Sequence, residues 1–422
     1  MLDMLDLAKR LYPICRSLTG DGNRQTLAII AETIDSLQIN EVPSGTRVFD
    51  WVIPREWNCS GGYLEDPNGN RVVDFSDSNL HILGYSLPVD VFLTLDELQE
   101  HLYSLPQQPD WVPYVTSYYK DRWGFCMSDT VRRSLPPGKY HAHIDSSLKA
   151  GSLTYGEAFI PGDSEDEIFF STYICHPSMA NNELSGPCVA AALYEHIRSL
   201  PHRRYSYRFV FVPETIGSIT YLSRNLEHLQ KYVRAGYNLT CVGDDRAYSY
   251  LPSRYGDTLA DRAALNILRS LHPDFVSYSY LQRGSDERQY CAHGVDLPVC
   301  SVMRSKYGEY PEYHTSADDF SIVTASGLAG AFEVSKEIIT LLERNVKDTV
   351  QCKCEPQLGA RGLYPTISFK GSAGDYVRNM LNFLAYADGR NDLVEISEII
   401  KVPVRQLYPI IDKLLEAELI KS

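Results

Sequence analysis

The stretch EIFFSTYICHPSMANNELSGPCVAAALYEHIRSL, residues 167–200, decides the fold of this chain. Its first seven residues form an apolar run of the length that a buried strand needs, and residues 186–200 follow a helical pattern. His176 stands directly after EIFFSTYIC, residues 167–175. A buried strand that leads through a polar segment into a helix is typical of a parallel sheet whose faces are both covered by helices.

The same alternation continues towards the C-terminus. Further strands are predicted at residues 207–212 (YRFVFV), 237–242 (YNLTCV) and 297–303 (LPVCSVM), and a closing helix is predicted at residues 325–342. Long apolar strands separated by helices indicate sheets that are buried on both faces. We therefore predict an α/β fold with a central mixed, mostly parallel sheet sandwiched by helices.

The pattern changes at both ends of this block. Residues 2–37 indicate two helices, whereas turn-forming residues interrupt short apolar runs between residues 49 and 140, which favours a mainly β module. Three short helical patterns near the C-terminus are typical of a winged helix. The predicted domains are a catalytic domain at 1–46 and 145–345, an inserted β-rich domain at 47–144 and a winged-helix domain at 375–422.

Composition restricts the partners that the chain could bind. The 422 residues are too many for one ordinary core, and their formal net charge is −14, which repels nucleic-acid phosphates. The last helical pattern carries Arg405 and Lys413, but also Asp412, Glu416 and Glu418. We expect no binding of nucleic acid, and we expect the winged helix to contact a protein partner or a second copy of the chain.

The sequence also predicts the compartment in which the protein is found. The N-terminus carries acidic residues where a signal peptide needs basic ones, and no stretch approaches the roughly 20 apolar residues that span a bilayer. Ten cysteines are present without the paired spacing of a disulfide framework. These features predict a cytoplasmic protein with reduced cysteines and no membrane contact.

Histidines and carboxylates stand beside the predicted strands. His176, Glu214 and Asp244 each follow one strand, with Asp245 next to Asp244, and His314 follows the last strand. The carboxyl ends of parallel strands meet at one edge of a sheet, and hydrolysis that uses a metal needs such ligands there. This distribution predicts one site built from residues that are far apart in the chain.

The order of these motifs resembles the co-catalytic zinc aminopeptidases. More narrowly, it is similar to a bacterial aminopeptidase-like family that has an inserted β domain and an appended winged helix and is often found near surface-polysaccharide genes. The similarity extends over nearly the whole chain. It rests on His176, on NNELSG (181–186), PETIG (213–217), GSD (284–286) and YHT (313–315), and on insertion segments such as WVIPREW and GNRVVDF.

The resemblance implies a role for each matching residue. His176 and His314 match the metal histidines, Asp244 matches a metal carboxylate with Asp245 as the alternative, and Glu214 matches the general base. The implied activity is zinc-dependent, aminopeptidase-type hydrolysis of an amide bond in a peptide or small molecule by a zinc-activated water.

Two departures from the family pattern affect the metal count. Asn182 stands where the family has a bridging aspartate, and Thr215 stands where it has a second glutamate. A neutral amide cannot hold two cations together, and threonine is a poor zinc ligand, although Glu183 could take the bridging position. We expect one zinc ion, bound by His176, His314 and one or both of Asp244 and Glu183; two zinc ions remain the alternative.

The substrate is less constrained by the sequence. Asp286 and Glu287 could anchor a free α-amino group, Arg283 could bind a substrate anion, and Tyr313 could line the mouth of the site. Basic residues facing the metal would instead favour an amidohydrolase or deacylase that acts on a sugar-linked or aminoacylated small molecule. Asn182 and Thr215 leave open a degenerate protein that binds without catalysis.

Overall fold

The computed structural model describes residues 2–363 and 372–421. Its helices are α1 Met4–Leu11, α2 Asp21–Ala31, α3 Leu95–Leu98, α4 Asp129–Ser134, α5 Ser185–Ser199, α6 Ile216–Tyr232, α7 Leu259–Leu271, α8 Glu287–Tyr290, α9 Ala325–Arg344, α10 Ser372–Tyr386, α11 Leu393–Ile400 and α12 Val404–Glu416. Among these residues, no helix is both long enough and apolar enough to cross a lipid bilayer.

The strands are β1 Gln38–Pro43, β2 Arg47–Val48, β3 Trp51–Val52, β4 Glu56–Glu65, β5 Arg71–Asp74, β6 Val89–Thr94, β7 Leu102–Tyr103, β8 Phe125–Cys126, β9 Lys139–Lys149, β10 Ser152–Ile160, β11 Glu167–Tyr173, β12 Ser206–Val212, β13 Val233–Asn238, β14 Ser249–Leu251, β15 Val276–Ser277, β16 Val299–Met303, β17 Thr349–Val350 and β18 Ile420–Lys421. The chain divides into two compact units, one of residues 1–256 and 276–332 and one of residues 257–275 and 333–422.

An eight-stranded mixed sheet organises the first unit, in the order β1-β10-β12-β11-β13-β16-β14-β15. Strand β11 lies in the middle and runs parallel to both β12 and β13, and β13 runs parallel to β16. Strand β10 runs antiparallel to β12, and β14 runs antiparallel to β16. The predicted α/β class and its mixed sheet with a parallel centre are therefore confirmed.

The segment that decides the fold takes the predicted form. Every residue of β11 is buried, and α5 buries residues on all sides at its N-terminal end, because both elements lie in the centre of the unit. The apolar run at 237–242 behaves differently: β13 ends at Asn238, and Cys241 takes a left-handed backbone conformation with a φ of 51°. Residues 239–242 are buried without belonging to the sheet, which apolarity alone does not reveal.

The β-rich insertion packs its own sheet, in the order β5-β4-β9-β6, with all pairs antiparallel. Strand β9 continues through the predicted boundary at residue 144 to Lys149. A partly buried ion pair joins this sheet to α2, because Arg24 donates to Glu56 over 2.7 Å. Trp57, Tyr85 and Phe125 belong to the apolar core beneath the sheet.

The second unit contains the predicted winged helix. Helices α10, α11 and α12 correspond to the three helical patterns of the sequence, and β18 pairs with β17 in antiparallel orientation. Asp392 and Glu395 form a capping box at the start of α11, and Lys401 ends that helix in a left-handed conformation. Buried apolar residues of α11 and α12, such as Val394 and Leu407, form its core.

The Arg24–Glu56 pair generates a stability prediction. The Arg24 guanidinium holds the pKa of Glu56 at about 2 against an ordinary value of 4.5, and burial opposes this shift. A lowered pKa contributes stability above pH 4.5 that is lost as the pH falls towards 2. Glu56→Gln should lower the free energy of unfolding by about 1–3 kcal/mol at pH 7, with a smaller difference at pH 3.

Urea unfolding followed by tryptophan fluorescence measures this difference, since all four tryptophans lie at residues 51–123. Glu41→Gln is the matched control, because Glu41 also pairs with Arg24 but its side chain is 49% exposed. Its loss should stay below about 1 kcal/mol. Equal losses in the two variants would contradict the prediction.

Candidate functional site

A cavity of about 350 Å³ opens at the carboxyl ends of β11 and β12. His176 follows β11 and Glu214 follows β12, so adjacent parallel strands deliver both side chains to the same edge of the sheet. The cavity is lined by Leu18, Trp51, Tyr114, Thr116, Tyr118, Tyr119, Cys175, His176, Glu214, Thr215, Ile216, Arg288 and His314.

The two predicted histidines meet in this cavity. The ring centroids of His176 and His314 lie 5.2 Å apart, although the residues are separated by most of the catalytic block of the sequence. Two imidazoles that share a tetrahedral zinc at bond lengths of about 2.1 Å have ring centres about 5 Å apart. The separation therefore suits a shared cation.

Glu183 holds the ring of His176 from behind. Nδ1 of His176 donates to Oε2 of Glu183 over 2.7 Å, and Glu183 is fully buried in the wide helical turn Ala180–Leu184. Burial lowers the pKa of His176, but the Glu183 carboxylate outweighs it and the net shift is upward. Because Nδ1 is engaged, Nε2 is the nitrogen left for the cavity, where it lies 3.7 Å from Oε2 of Glu214.

A different group of ligand atoms also lies close together: those of Cys175, His176 and Glu183 are all within 4.8 Å of one another. A cation among them that used Nδ1 would replace the His176–Glu183 hydrogen bond. Burial raises the pKa of Cys175 well above its ordinary value, which disfavours the thiolate that a metal needs. The donors on the cavity side are the better set.

Asn182 directs an oxygen at His314, one of the residues that line the cavity. Its Nδ2 donates to the Tyr173 hydroxyl over 2.7 Å, which orients Oδ1 towards Nε2 of His314 at 3.1 Å. An edge of a zinc tetrahedron measures about 3.4 Å at bond lengths of about 2.1 Å. The separation of 3.1 Å between Nε2 of His314 and Oδ1 of Asn182 is close to such an edge.

Asp318 supports this turn and was not singled out in the sequence. Its carboxylate accepts hydrogen bonds from the backbone amides of Asn181 and Asn182 and from the Tyr310 hydroxyl. Burial raises its pKa to about 6. The sequence signal that could have identified Asp318 was its position four residues after His314, in the same polar segment.

Asp244 holds the neighbouring loops. Its Oδ2 accepts hydrogen bonds from the side chain of Asn181 and the amide of Ser305, and its Oδ1 accepts from the amide of Arg246 and the hydroxyl of Ser305. Asp245, the alternative, accepts hydrogen bonds from Thr324 and Ser326. Four donors therefore surround Asp244, and its role as a metal ligand stays a prediction.

Glu214 faces the cavity with a side chain that is 20% exposed. Burial raises its pKa above the ordinary value, while the nearby His176 and Arg288 act in the opposite direction. The next residue, Thr215, has a φ of 64°, and His314 has a φ of 57°. Left-handed backbone at non-glycine residues is costly and concentrates at functional sites, so this strain accords with a site here.

Asp286 and Glu287 lie beneath the cavity. Oδ1 of Asp286 accepts hydrogen bonds from the Thr215 amide and the Ser218 hydroxyl, and burial, with help from Glu214, raises its pKa to about 8. The two carboxylate oxygens of Glu287 receive hydrogen bonds from the Gly284 and Ser285 amides and from the side chains of Tyr307, Asn238 and Ser301. Neither is among the lining residues.

The two other substrate candidates lie in different places. Arg283 is exposed and packs over the ring of Tyr280, with 4.8 Å between the guanidinium carbon and the ring centroid. Tyr313 stacks on His314 with ring centroids 3.9 Å apart. The basic residue that lines the cavity is Arg288, whose Nη2 donates to Oγ1 of Thr215. The sequence signal that could have identified Arg288 as a site residue was its position two residues after Asp286.

The β-rich insertion and its flanks supply an aromatic wall. The ring of Tyr114 lies 5.0 Å from that of His176 and 5.2 Å from that of His314, between centroids. The Tyr114 amide donates to the carbonyl oxygen of His314 over 2.8 Å. Trp51, Tyr118 and Tyr119 complete the wall, so the insertion forms part of the site.

Comparison with known proteins places these features in a family. Residues 5–345 match a family described as Domain of unknown function (DUF4910), and residues 345–422 match a winged helix-turn-helix family. A protein of Clostridium acetobutylicum, provisionally described as a polysaccharide biosynthesis protein with an aminopeptidase-like domain, is 42% identical over 423 residues, which are 99% of this chain and 96% of the relative.

Solved structures give the same result. A Clostridium acetobutylicum protein provisionally described as a peptidase has a TM-score of 0.92 at 41% identity and covers 99% of this chain and 95% of its own. A zinc aminopeptidase from Bacillus subtilis has a TM-score of 0.57 at 12% identity, over 81% of this chain and 95% of its own, which shows likeness of fold alone.

The predicted resemblance to aminopeptidase-like proteins with a C-terminal winged helix is therefore confirmed. The chain belongs to the DUF4910 family, with an aminopeptidase-like fold followed by a winged helix-turn-helix domain.

Proposed function

We propose that this protein hydrolyses an amide bond with one bound divalent cation, zinc by preference, and with Glu214 as the general base. The observation that carries the proposal is the convergence of His176, His314 and Glu214 in one cavity. The zinc aminopeptidases among proteins of similar fold support it, since they bind metal within the same architecture.

A single cation agrees with the donors of the cavity. Two imidazole nitrogens and the neutral Oδ1 of Asn182 are ligands that zinc accepts, and Glu183 orients His176 through Nδ1. Thr215 has a neutral side chain, which accepts a hydrogen bond from Arg288, and its amide donates to Asp286. This position therefore offers no anionic ligand for a second cation. When bound, the cation polarises a substrate carbonyl and lowers the pKa of water.

The residues of the chain supply the proton transfers. Glu214 accepts a proton from the water whose oxygen bonds to the carbonyl carbon, and it returns that proton to the leaving nitrogen as the C–N bond breaks. Burial raises its pKa, which brings the carboxyl closer to the pH at which it can both accept and donate. The aromatic wall excludes bulk water from this exchange.

One observation favours the amidohydrolase or deacylase alternative for the substrate. An aminopeptidase anchors the α-amino group of its substrate, yet the carboxylates of Asp286 and Glu287 are used within the protein. The cavity instead receives the basic side chain of Arg288.

For the winged helix we propose a protein partner. Arg405 pairs with Glu337 over 3.1 Å, and the Lys413 ammonium lies over the Tyr376 ring. Basic residues with partners inside their own unit are less available to phosphates, which supports the expectation that nucleic acid is not the ligand.

Glu214→Gln tests the general base. The variant should retain its metal, because the ring of His176 is oriented by Glu183, while turnover falls by about 10²–10⁴-fold. Metal content is measured by elemental analysis and turnover by release of amine from a panel of aminoacyl anilides and N-acyl amino acids. Glu195→Gln, an exposed position on α5, is the control. Full activity of Glu214→Gln would remove Glu214 as the base.

Zinc titration against a competing chelator tests the metal site. The protein should bind one zinc per chain, and His176→Ala and His314→Ala should each lose it. Glu183→Gln should weaken binding by about 10–100-fold, as expected for a residue that orients a ligand. A stoichiometry of two zinc ions per chain would contradict the single site, and unchanged affinity in both histidine variants would reject these ligands.

A further inference from the structure

The proposed function gives a role to one of the two charged side chains that line the cavity, but not to the other. Beside the two imidazoles, the charged residues among the lining side chains are Glu214 and Arg288. Glu214 has a role in proton transfer. Arg288 takes no part in that proton transfer. A cation in a partly apolar cavity costs solvation energy that its contacts must offset.

Little of the hydrogen-bonding capacity of Arg288 is used by the described residues. Nη2 donates to the neutral hydroxyl of Thr215, and Nε is buried without a partner. A guanidinium has five N–H donors, and the contact with Thr215 uses one of them. Its charge still acts on its surroundings, since it opposes the upward pKa shift that burial causes at Glu214 and Asp286.

The other walls of the cavity complement an anion with an aromatic or apolar portion. Tyr114, Tyr118, Tyr119 and Trp51 present rings to the same space. A substrate ammonium would instead meet the positive charge of Arg288, and Asp286 and Glu287 are occupied by internal donors. Arginine binds carboxylates strongly because two parallel N–H groups match two oxygens.

We propose that Arg288 binds a carboxylate of the substrate beside the bond to be cleaved. The substrate class is then an N-acyl amino acid, or a peptide that is bound by its C-terminal carboxylate and not by its N-terminal ammonium. This inference rests on the proposed function, and Arg288 is a residue that determines substrate specificity.

The test uses three small probes and the full-length protein. Hippurate carries an aromatic acyl group, an amide and a carboxylate; hippuramide replaces the carboxylate with a neutral amide; glycine anilide carries an ammonium. Isothermal titration calorimetry measures the Kd of each probe for the wild type, Arg288→Gln and Arg288→Lys. Arg198→Gln is the matched control, because Arg198 is a 55%-exposed arginine on α5 outside the cavity lining.

The wild type and Arg198→Gln should bind hippurate at least about tenfold more tightly than hippuramide. Arg288→Gln should bring the two Kd values within about twofold of each other, and Arg288→Lys should keep part of the preference. Equal binding of the two probes by the wild type, a preference that persists in Arg288→Gln, tightest binding of glycine anilide, or no detectable binding of hippurate would each overturn the proposal.

The same titration separates this proposal from the proposed function. Binding needs no turnover, so Glu214→Gln should also prefer hippurate over hippuramide. If Glu214→Gln keeps full activity while the preference depends on Arg288, the general base is wrong and the anion site stands. If Glu214→Gln is inactive but hippurate and hippuramide bind equally, the hydrolase stands and the carboxylate site fails. Thermal unfolding confirms that Arg288→Gln is folded.

Discussion

The hydrogen bond between Nδ1 of His176 and Oε2 of Glu183 is the constraint on which the site depends. Glu183 is fully buried, and its other oxygen, Oε1, has no hydrogen-bond partner among the described residues. A buried carboxylate is costly unless a charged or hydrogen-bonded group compensates it, and the His176 ring and the charge of the buried Arg16 provide that compensation. The ring orientation that results directs Nε2 towards Glu214, so chemistry at the cavity depends on a contact outside it.

Support for the site comes from both sides of the main sheet's edge. Asp318 and Asp244 hold the Asn181–Asn182 turn through its amides and its side chain, while Asp286 holds the start of α6 at Thr215. Carboxylates that accept backbone N–H groups fix loops that would otherwise be free to move. The strained conformations at Thr215 and His314 can persist because these contacts surround them.

The charges near the cavity are the basis for proposing one cation instead of two. Asn182 and Thr215 are neutral residues at positions where the two-zinc aminopeptidase pattern has an aspartate and a glutamate. Arg288 adds a positive charge on the side of Thr215. With the single cation that we propose, the positive charge of the site is divided between that cation and Arg288 instead of between two cations. A site of this composition is better suited to a substrate that brings its own negative charge.

The sequence by itself determined the elements and their order. Apolar runs and helical periodicity predicted β11, α5, β12 and the three C-terminal helices, because these patterns are local and reflect burial directly. Because ligands collect at the carboxyl ends of parallel strands, the sequence also predicted that His176, Glu214 and His314 lie in one site. The strand at 237–242 was misplaced, since a buried loop is as apolar as a strand.

Only the tertiary structure decided what each polar side chain does. Glu183 and Asp244 were both predicted as ligands, and only the structure shows that Glu183 contacts His176 while Asp244 contacts two loops. Arg283 and Arg288 look equivalent in the sequence, yet Arg288 lines the cavity. The physical reason is that a hydrogen bond depends on atom positions within a few tenths of an ångström. Residue type and spacing place a side chain near a site, whereas packing decides which atoms face it.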